Sequence, residues 1–221
     1  MATSRLELYN SALRICGERK LANLTESREP RFLLDDVWDD GWVDTVLEAG
    51  YWKFAMRTVR MNFESTVTPA FGYRRAFLKP TDWIRPYSVC SDEYFREPLL
   101  RYQDEQDYIF ADLDEIFVRF VSNDNTHGSD LSTWTGAFAD YASAYGASKI
   151  IHKFTADKEK LQMLLKPRTG YLAQTLQTAR SLDAFNDATR MLPPGGWIRA
   201  RGGRVGGGPF GDGGQTGSLI G

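Results

Sequence analysis

Apolar positions along the chain change period twice, and the changes divide it into helix, sheet and helix. Leu6, Tyr9, Leu13 and Cys16 recur at spacings of three and four behind Ser4-Arg5-Leu6-Glu7. That tetrapeptide is a capping box: the serine oxygen accepts from the third helical N–H while the glutamate reaches back to the cap. Gly17 supplies a left-handed residue to end the run, so a helix is expected over residues 4–17. A second helix is expected to begin between Ser27 and Pro30, to carry Leu34, Val37, Trp38, Trp42 and Val46 along one side, and to close at Gly50. Trp52, Phe54, Met56, Val59 and Met61 then alternate imperfectly, the mark of a strand after a turn. Residues 73–78, 99–102, 108–111 and 116–121 are further strand candidates, rich in aromatic and branched side chains. Asp104-Glu105-Gln106-Asp107 reads as the hairpin turn between two of them.

The helical period returns at Asp130. Leu131, Trp134, Phe138, Tyr141 and Tyr145, extended by Ile151 and Phe154, predict a third helix of about 23 residues. Asp157 caps a fourth segment, 158–187, with Leu161, Leu165, Leu172, Leu176, Ala179 and Phe185 facing inward. Pro167 must kink or divide that segment, because it lacks an amide donor and clashes with the preceding turn. The expected fold class is α+β. Helices from residues 1–50 and 129–192 form a bundle, an antiparallel β-rich region at 51–128 is inserted into it, and 193–221 form an extended glycine-rich tail.

The tail holds twelve of the chain's twenty glycines. Such a segment loses about 1–2 kcal/mol of backbone entropy per fixed residue and has few apolar side chains to offset it, so order there requires a surface borrowed from another molecule. Three readings compete. An extended strap over a neighbouring subunit would be anchored by Trp197, Val205, Phe210, Leu219 and Ile220, with Arg199, Arg201 and Arg204 as polar contacts. A flexible linker needs no anchors. A nucleic-acid segment of the Arg-Gly-Gly type would use Arg201 and Arg204. The strap is the reading adopted.

Charge narrows the partners. The whole chain carries −2; the tail contributes three arginines against Asp212, which leaves the body at −4. A mildly acidic body gives no electrostatic reason to grip a phosphate backbone. Cys16 falls on the first helix and Cys90 in an expected loop, with no CxxC spacing, so reduced buried thiols are expected. Residues 1–7 already carry charge and lead into an amphipathic helix, and no apolar run approaches the roughly eighteen residues of a membrane span; neither a secretory signal nor a membrane anchor is expected.

Candidate chemistry is sparse. Asp35-Asp36-Val37-Trp38-Asp39 has the DDxxD spacing that can share a magnesium ion between carboxylates one helical turn apart. It lacks a companion motif, and Asp35, Asp36, Asp39 and Asp40 are expected to form a solvated acidic face opposite the apolar stripe. His127 lies in a turn-rich loop without the glycine and closing glutamate of a calcium loop, and His152 sits near a helix end, where a cation relieves the dipole. No GxSxG, HExxH or P-loop is present. The chain is therefore not expected to be an enzyme, and no catalytic residue, metal or cofactor is assigned.

Residues 6–18, Leu-Glu-Leu-Tyr-Asn-Ser-Ala-Leu-Arg-Ile-Cys-Gly-Glu, are followed by Leu21-Ala-Asn-Leu-Thr-Glu, Leu34-Asp-Asp-Val-Trp-Asp-Asp, Gly50-Tyr-Trp-Lys-Phe-Ala and the proline-bearing stretch 78–86. In that order they resemble the tail tubular protein A family, the head-to-tail adaptors of short-tailed bacteriophages. The resemblance covers roughly residues 4–190 and rests on motif order, since each motif alone is a core-packing pattern. It does not extend to 193–221. It implies a virion structural protein, assembled in the host cytoplasm as a ring of usually twelve copies. The ring would bind the portal above, with a nozzle of the tail tubular protein B type and the tail fibres below. DNA would pass through without specific binding, which suits a body lacking net positive charge. The rival readings are another tail component, such as a nozzle or sheath-end protein, and a magnesium-dependent enzyme built on the Asp35–Asp40 helix.

Overall fold

A computed structural model describes residues 3–70, 72–155 and 157–186. The first helix, α1 (Arg5–Cys16), forms as its caps dictate: Ser4 Oγ accepts from the Glu7 amide, the Glu7 carboxylate accepts from the Ser4 amide, and Gly17 closes the helix at φ 81°. The second expected helix is two. After α2 (Glu29–Asp39) the chain turns at Gly41, whose φ of 86° is left-handed and strained for any side chain, and α3 (Trp42–Glu48) follows. The break keeps the apolar stripe in phase while turning Trp42 onto α1. Its ring stacks on Tyr9 at 5.9 Å with planes 3° apart.

A 3₁₀ turn over Lys53–Ala55 leads into β1 (Met56–Asn62). Then come β2 (Arg75–Leu78), β3 (Trp83–Cys90), β4 (Gln103–Asp104), β5 (Tyr108–Ala111) and β6 (Glu115–Ser122). They make two antiparallel sheets of three strands, ordered β1-β6-β3 and β2-β5-β4. The expectation of a strand over 99–102 is corrected: pairing in this stretch is confined to β4 and to a bridge between Pro98 and Cys90. Residues 83–90, not among the expected strands, form β3, so Cys90 lies on a strand and not in the expected loop. Pro86 is tolerated because β3 is the edge of its sheet and its register shifts on either side of that residue. The turn expected at 104–107 does join β4 to β5, through reciprocal backbone bonds of Glu105 and Tyr108.

The third expected helix starts late. Leu131–Thr133 form a 3₁₀ turn, and Thr135 caps α4 (Gly136–Phe154). The fourth segment is divided at Pro167 into α5 (Lys158–Leu165), capped by Asp157, and α6 (Tyr171–Phe185). Phe185 and Leu165, expected inward, are exposed: the buried side of α6 runs through Ala179 and Asp183, two residues from Phe185 and so on the opposite face, and α5 buries only Leu164.

Two cores result. Helices from both ends of the chain share the larger, with α4 in the middle packed by α1, α2, α3, α5 and α6. The smaller lies between the sheets and contains Phe77 and Ile109 from one, and Met61, Val89, Ile116, Val118 and Phe120 from the other. Strand β6 serves both. Its even positions enter the inter-sheet core, while Val121 reaches the helical one. The arrangement is the α+β bundle with an inserted β-rich region, and residues 1–186 belong to one compact unit. The expected boundary at 193 lies beyond the described residues.

Candidate functional site

Among the described residues, three polar constellations and one apolar groove stand out. The first occupies the DDxxD helix. Asp35 Oδ1 accepts from Arg5 Nη2 at 2.7 Å and from the Tyr9 hydroxyl at 2.9 Å, and Asp35 Oδ2 accepts from Arg31 Nη1 at 2.6 Å. The expectation that Asp35 belongs to a solvated face is therefore corrected: α1 crosses α2 there, and its carboxylate is taken by two guanidinium groups. Burial pushes the Tyr9 phenol far above its ordinary value, against the opposing pull of the Arg5 hydrogen bond. Asp36, Asp39 and Asp40 are exposed and, among the described residues, meet no cationic side chain. Two carboxylates of the motif thus point to water and the third to arginine, an arrangement that builds a helix joint.

The second constellation fastens the sheets to the bundle. Asp82, 8% exposed, accepts from Arg57 Nη1 at 2.7 Å and from the Ser122 hydroxyl. Burial alone would raise its carboxyl, but these two hydrogen bonds and the Arg57 charge outweigh it and hold Asp82 below the usual carboxylate range. Next to it, the Asn123 amide donates to the Asp82 carbonyl at 3.1 Å, and its side chain donates to Asp44 of α3 at 2.9 Å.

The third is the loop after β6. Asp124 accepts from the hydroxyl and amide of Thr126, which together with His127 hold its carboxyl at about 2. His127 Nδ1 lies 3.0 Å from Thr126 Oγ1 and 3.5 Å from Asp124. Asp130 caps the 3₁₀ turn through Ser132. Each carboxylate here organises its own loop, and among the described residues no three His, Cys, Asp or Glu side chains converge as a metal site requires. His152 lies in the last turn of α4, as read from the sequence.

The groove lies where the C-terminal end of α1 meets α4, α5 and α6. It has a volume of about 400 Å³ and is lined by Ile15, Cys16, Ile151, Met163, Leu164 and Tyr171, with Lys160 on its rim. Burial, with Glu18 nearby, pushes the Cys16 thiol up to about 11. Met163 is 73% exposed and Tyr171 42%. This surface was not among those expected from sequence. The signal was in α5, where Leu161, Met163, Leu164 and Leu165 are apolar on every side of a helix that can bury only one.

The anchors assigned from sequence, Trp197, Arg199, Arg201, Arg204, Val205, Phe210, Leu219 and Ile220, all lie outside the described residues. Among the described residues, no helix is long and apolar enough to cross a membrane. Comparison with known proteins finds no family model and no curated protein that matches this chain.

Proposed function

We propose that the chain is a structural head-to-tail adaptor of a bacteriophage virion. Several copies form a ring beneath the portal, join it to the tail nozzle and leave a channel through which DNA passes. The observation that carries the reading is the motif order resembling tail tubular protein A, borne on a bundle made from both ends of the chain with a β-rich region inserted between them. Segments 6–18 and 34–40 map to α1 and α2, and residues 50–55 to the turn that leaves the bundle for β1. On this reading the role is geometric and not catalytic. The engagement of Asp35 with Arg5 and Arg31 argues against the magnesium-enzyme alternative, since a cation would have to displace both. The segment 193–221 is assigned to strapping an adjacent protein, with the nozzle and fibres on the far side of the ring.

Mass photometry of the full chain, alone and with the portal protein of the same genome, tests the proposal. A portal complex heavier by several copies of the 25.0 kDa chain is expected. A portal whose mass does not change at micromolar adaptor would overturn it.

A further inference from the structure

Charge in the helical part of this protein is segregated far beyond what its net value suggests. Residues 29–48, which form α2 and α3, hold seven carboxylates against one arginine. Residues 14–20 and 153–168, which surround the groove, hold eight Lys or Arg against three carboxylates. Arg31 and Arg5 share Asp35, and the Arg31 guanidinium also lies over the Phe32 ring at 4.1 Å, so the negative charge of this face is carried by the other six carboxylates. Helix α5 is kept from α2 within the subunit, since α2 packs on α1, α3 and α4 whereas α5 packs on α4 and α6; residues 14–20 run between them, with the Arg19 and Lys20 carbonyls accepting from Arg28 at the α2 cap.

Each region also exposes apolar surface that complements the other. On α2, Phe32 is 47% exposed and heads a helix face that continues through Asp36 and on to Asp39 and Asp40, at i, i+4, i+7 and i+8. Around the groove, Met163 and Tyr171 flank an apolar depression with Lys160 on the rim and Lys158 and Lys166 at the two ends of α5. An aromatic knob with carboxylates one and two turns behind it matches an apolar hole with lysines beside it.

We infer that the Phe32–Asp40 face of α2 seats in the α1–α5 groove of a second copy of this chain. The inference rests on the ring of the proposed function and names the contact that would build it. Both halves are present on one molecule, and each carries close to the charge that the other lacks. Pairing like with like would set those six carboxylates against six, or eight cations against eight, so a two-fold dimer through either face is opposed electrostatically. The contact is therefore heterologous: each copy offers a knob to one neighbour and a groove to the other, and the chain of contacts closes when the rotation per subunit fits. Fixing register through charge, with an aromatic anchor supplying the affinity, is the division of labour found in specific interfaces.

Analytical ultracentrifugation of the full chain, from about 10 μM to about 1 mM, reads the contact directly. Reversible self-association is expected in low salt, weakening as salt approaches about 1 M, where charges are screened within about 3 Å. The double variant Phe32→Ser with Asp36→Asn, and separately Met163→Glu, should each weaken association about thirtyfold, the effect of losing a buried aromatic anchor or blocking its pocket. All three positions are at the surface, and unchanged thermal melts establish that both variants fold. Mixed together, the two variants should form a heterodimer and stop there, because only one productive knob and one productive groove are left. A wild-type chain that stays monomeric at every concentration and salt, or variants that associate like wild type, would overturn the inference. If both variants assemble on the portal as wild type does, this contact is wrong and the adaptor reading stands. If wild type self-associates but never engages the portal, the adaptor reading fails and the contact stands.

Discussion

Replacing Gly146 by alanine should destabilise this protein, although helix propensity alone says the reverse. Gly146 lies well inside α4, where alanine is ordinarily favoured by about 1 kcal/mol. A Cβ at that position would fall 2.1 Å from Cη2 and 2.2 Å from Cζ2 of Trp42. Ordinary contact demands a separation larger by more than about 1 Å, so either the indole or the helix must move. The indole is fixed on three sides. It stacks on Tyr9, meets Trp38 edge-on at 5.8 Å, and its Nε1 donates to the Ala142 carbonyl at 3.0 Å. Overpacking of this kind costs about 1–3 kcal/mol. Withdrawing the indole from Ala142 would add about 1–3 kcal/mol for a buried polar group left unpaired.

Set against about 1 kcal/mol gained in propensity, the net loss should be about 3 kcal/mol, or a melting point lower by roughly 6–12 °C for a chain of this size. Urea unfolding followed by tryptophan fluorescence checks it, with the midpoint expected to fall and the slope to stay constant. In a Trp42→Leu background the clash is gone, and the same glycine replacement should become neutral or stabilising, a coupling that a double-mutant cycle measures directly. A midpoint for Gly146→Ala equal to or above that of wild type would refute the claim that Trp42 is held against the α4 backbone.

Asp82→Asn should flatten the acid limb of stability. Its folded carboxyl is held below the unfolded value, so its contribution is present above about pH 4 and lost as pH falls through the folded value; equilibrium denaturation between pH 3 and 7 compares the two proteins. Cys16, with its thiol raised to about 11, should be about a thousandfold short of full thiolate at pH 8. Folded protein should therefore leave Cys16 unmodified by iodoacetamide, as read by peptide mass spectrometry, while urea-unfolded protein reacts at once. Asp183, 8% exposed, accepts from the Lys53 amide at 3.1 Å and ties α6 to the turn before β1. Asp183→Ala should cost about 1–3 kcal/mol in the same unfolding assay. Deleting residues 193–221 should leave the melting transition unchanged but reduce ring formation or portal docking in electron micrographs; undiminished assembly would end the strap reading.

Local signals were legible and crossings were not. The limits of α1 could be read because the capping box and Gly17 act within one turn of the residues they terminate. The division at Pro167 is equally local, a missing donor that no distant contact can restore. Gly41 escaped because the stripe Leu34, Trp38, Trp42, Val46 stays periodic across the break, so the pattern carries no mark of it. Strand β3 was hidden by Pro86, whose meaning reverses between an edge strand and a central one, and only the sheet order decides which applies. The residues at 99–102 had strand composition, but pairing with β5 starts only at Gln103, opposite Phe110, and Leu99 meets β3 through its amide bond to the Val89 carbonyl.

The candidate surface shows the same division more sharply. In sequence, Asp35 and Asp36 are adjacent members of one acidic run; in the fold, one is held by Arg5 from a helix thirty residues away and the other faces water. Net charge hides more still. A value of −2 describes a neutral-looking protein, yet the bundle sets its acids on α2 and α3 and gathers its lysines around α5. At physiological salt the screening length is about 8 Å, shorter than a helix pair is wide, so a docking partner meets each region's own charge and never their sum. Where the helices place the charges, and not how many there are, decides which surface of one subunit can approach another.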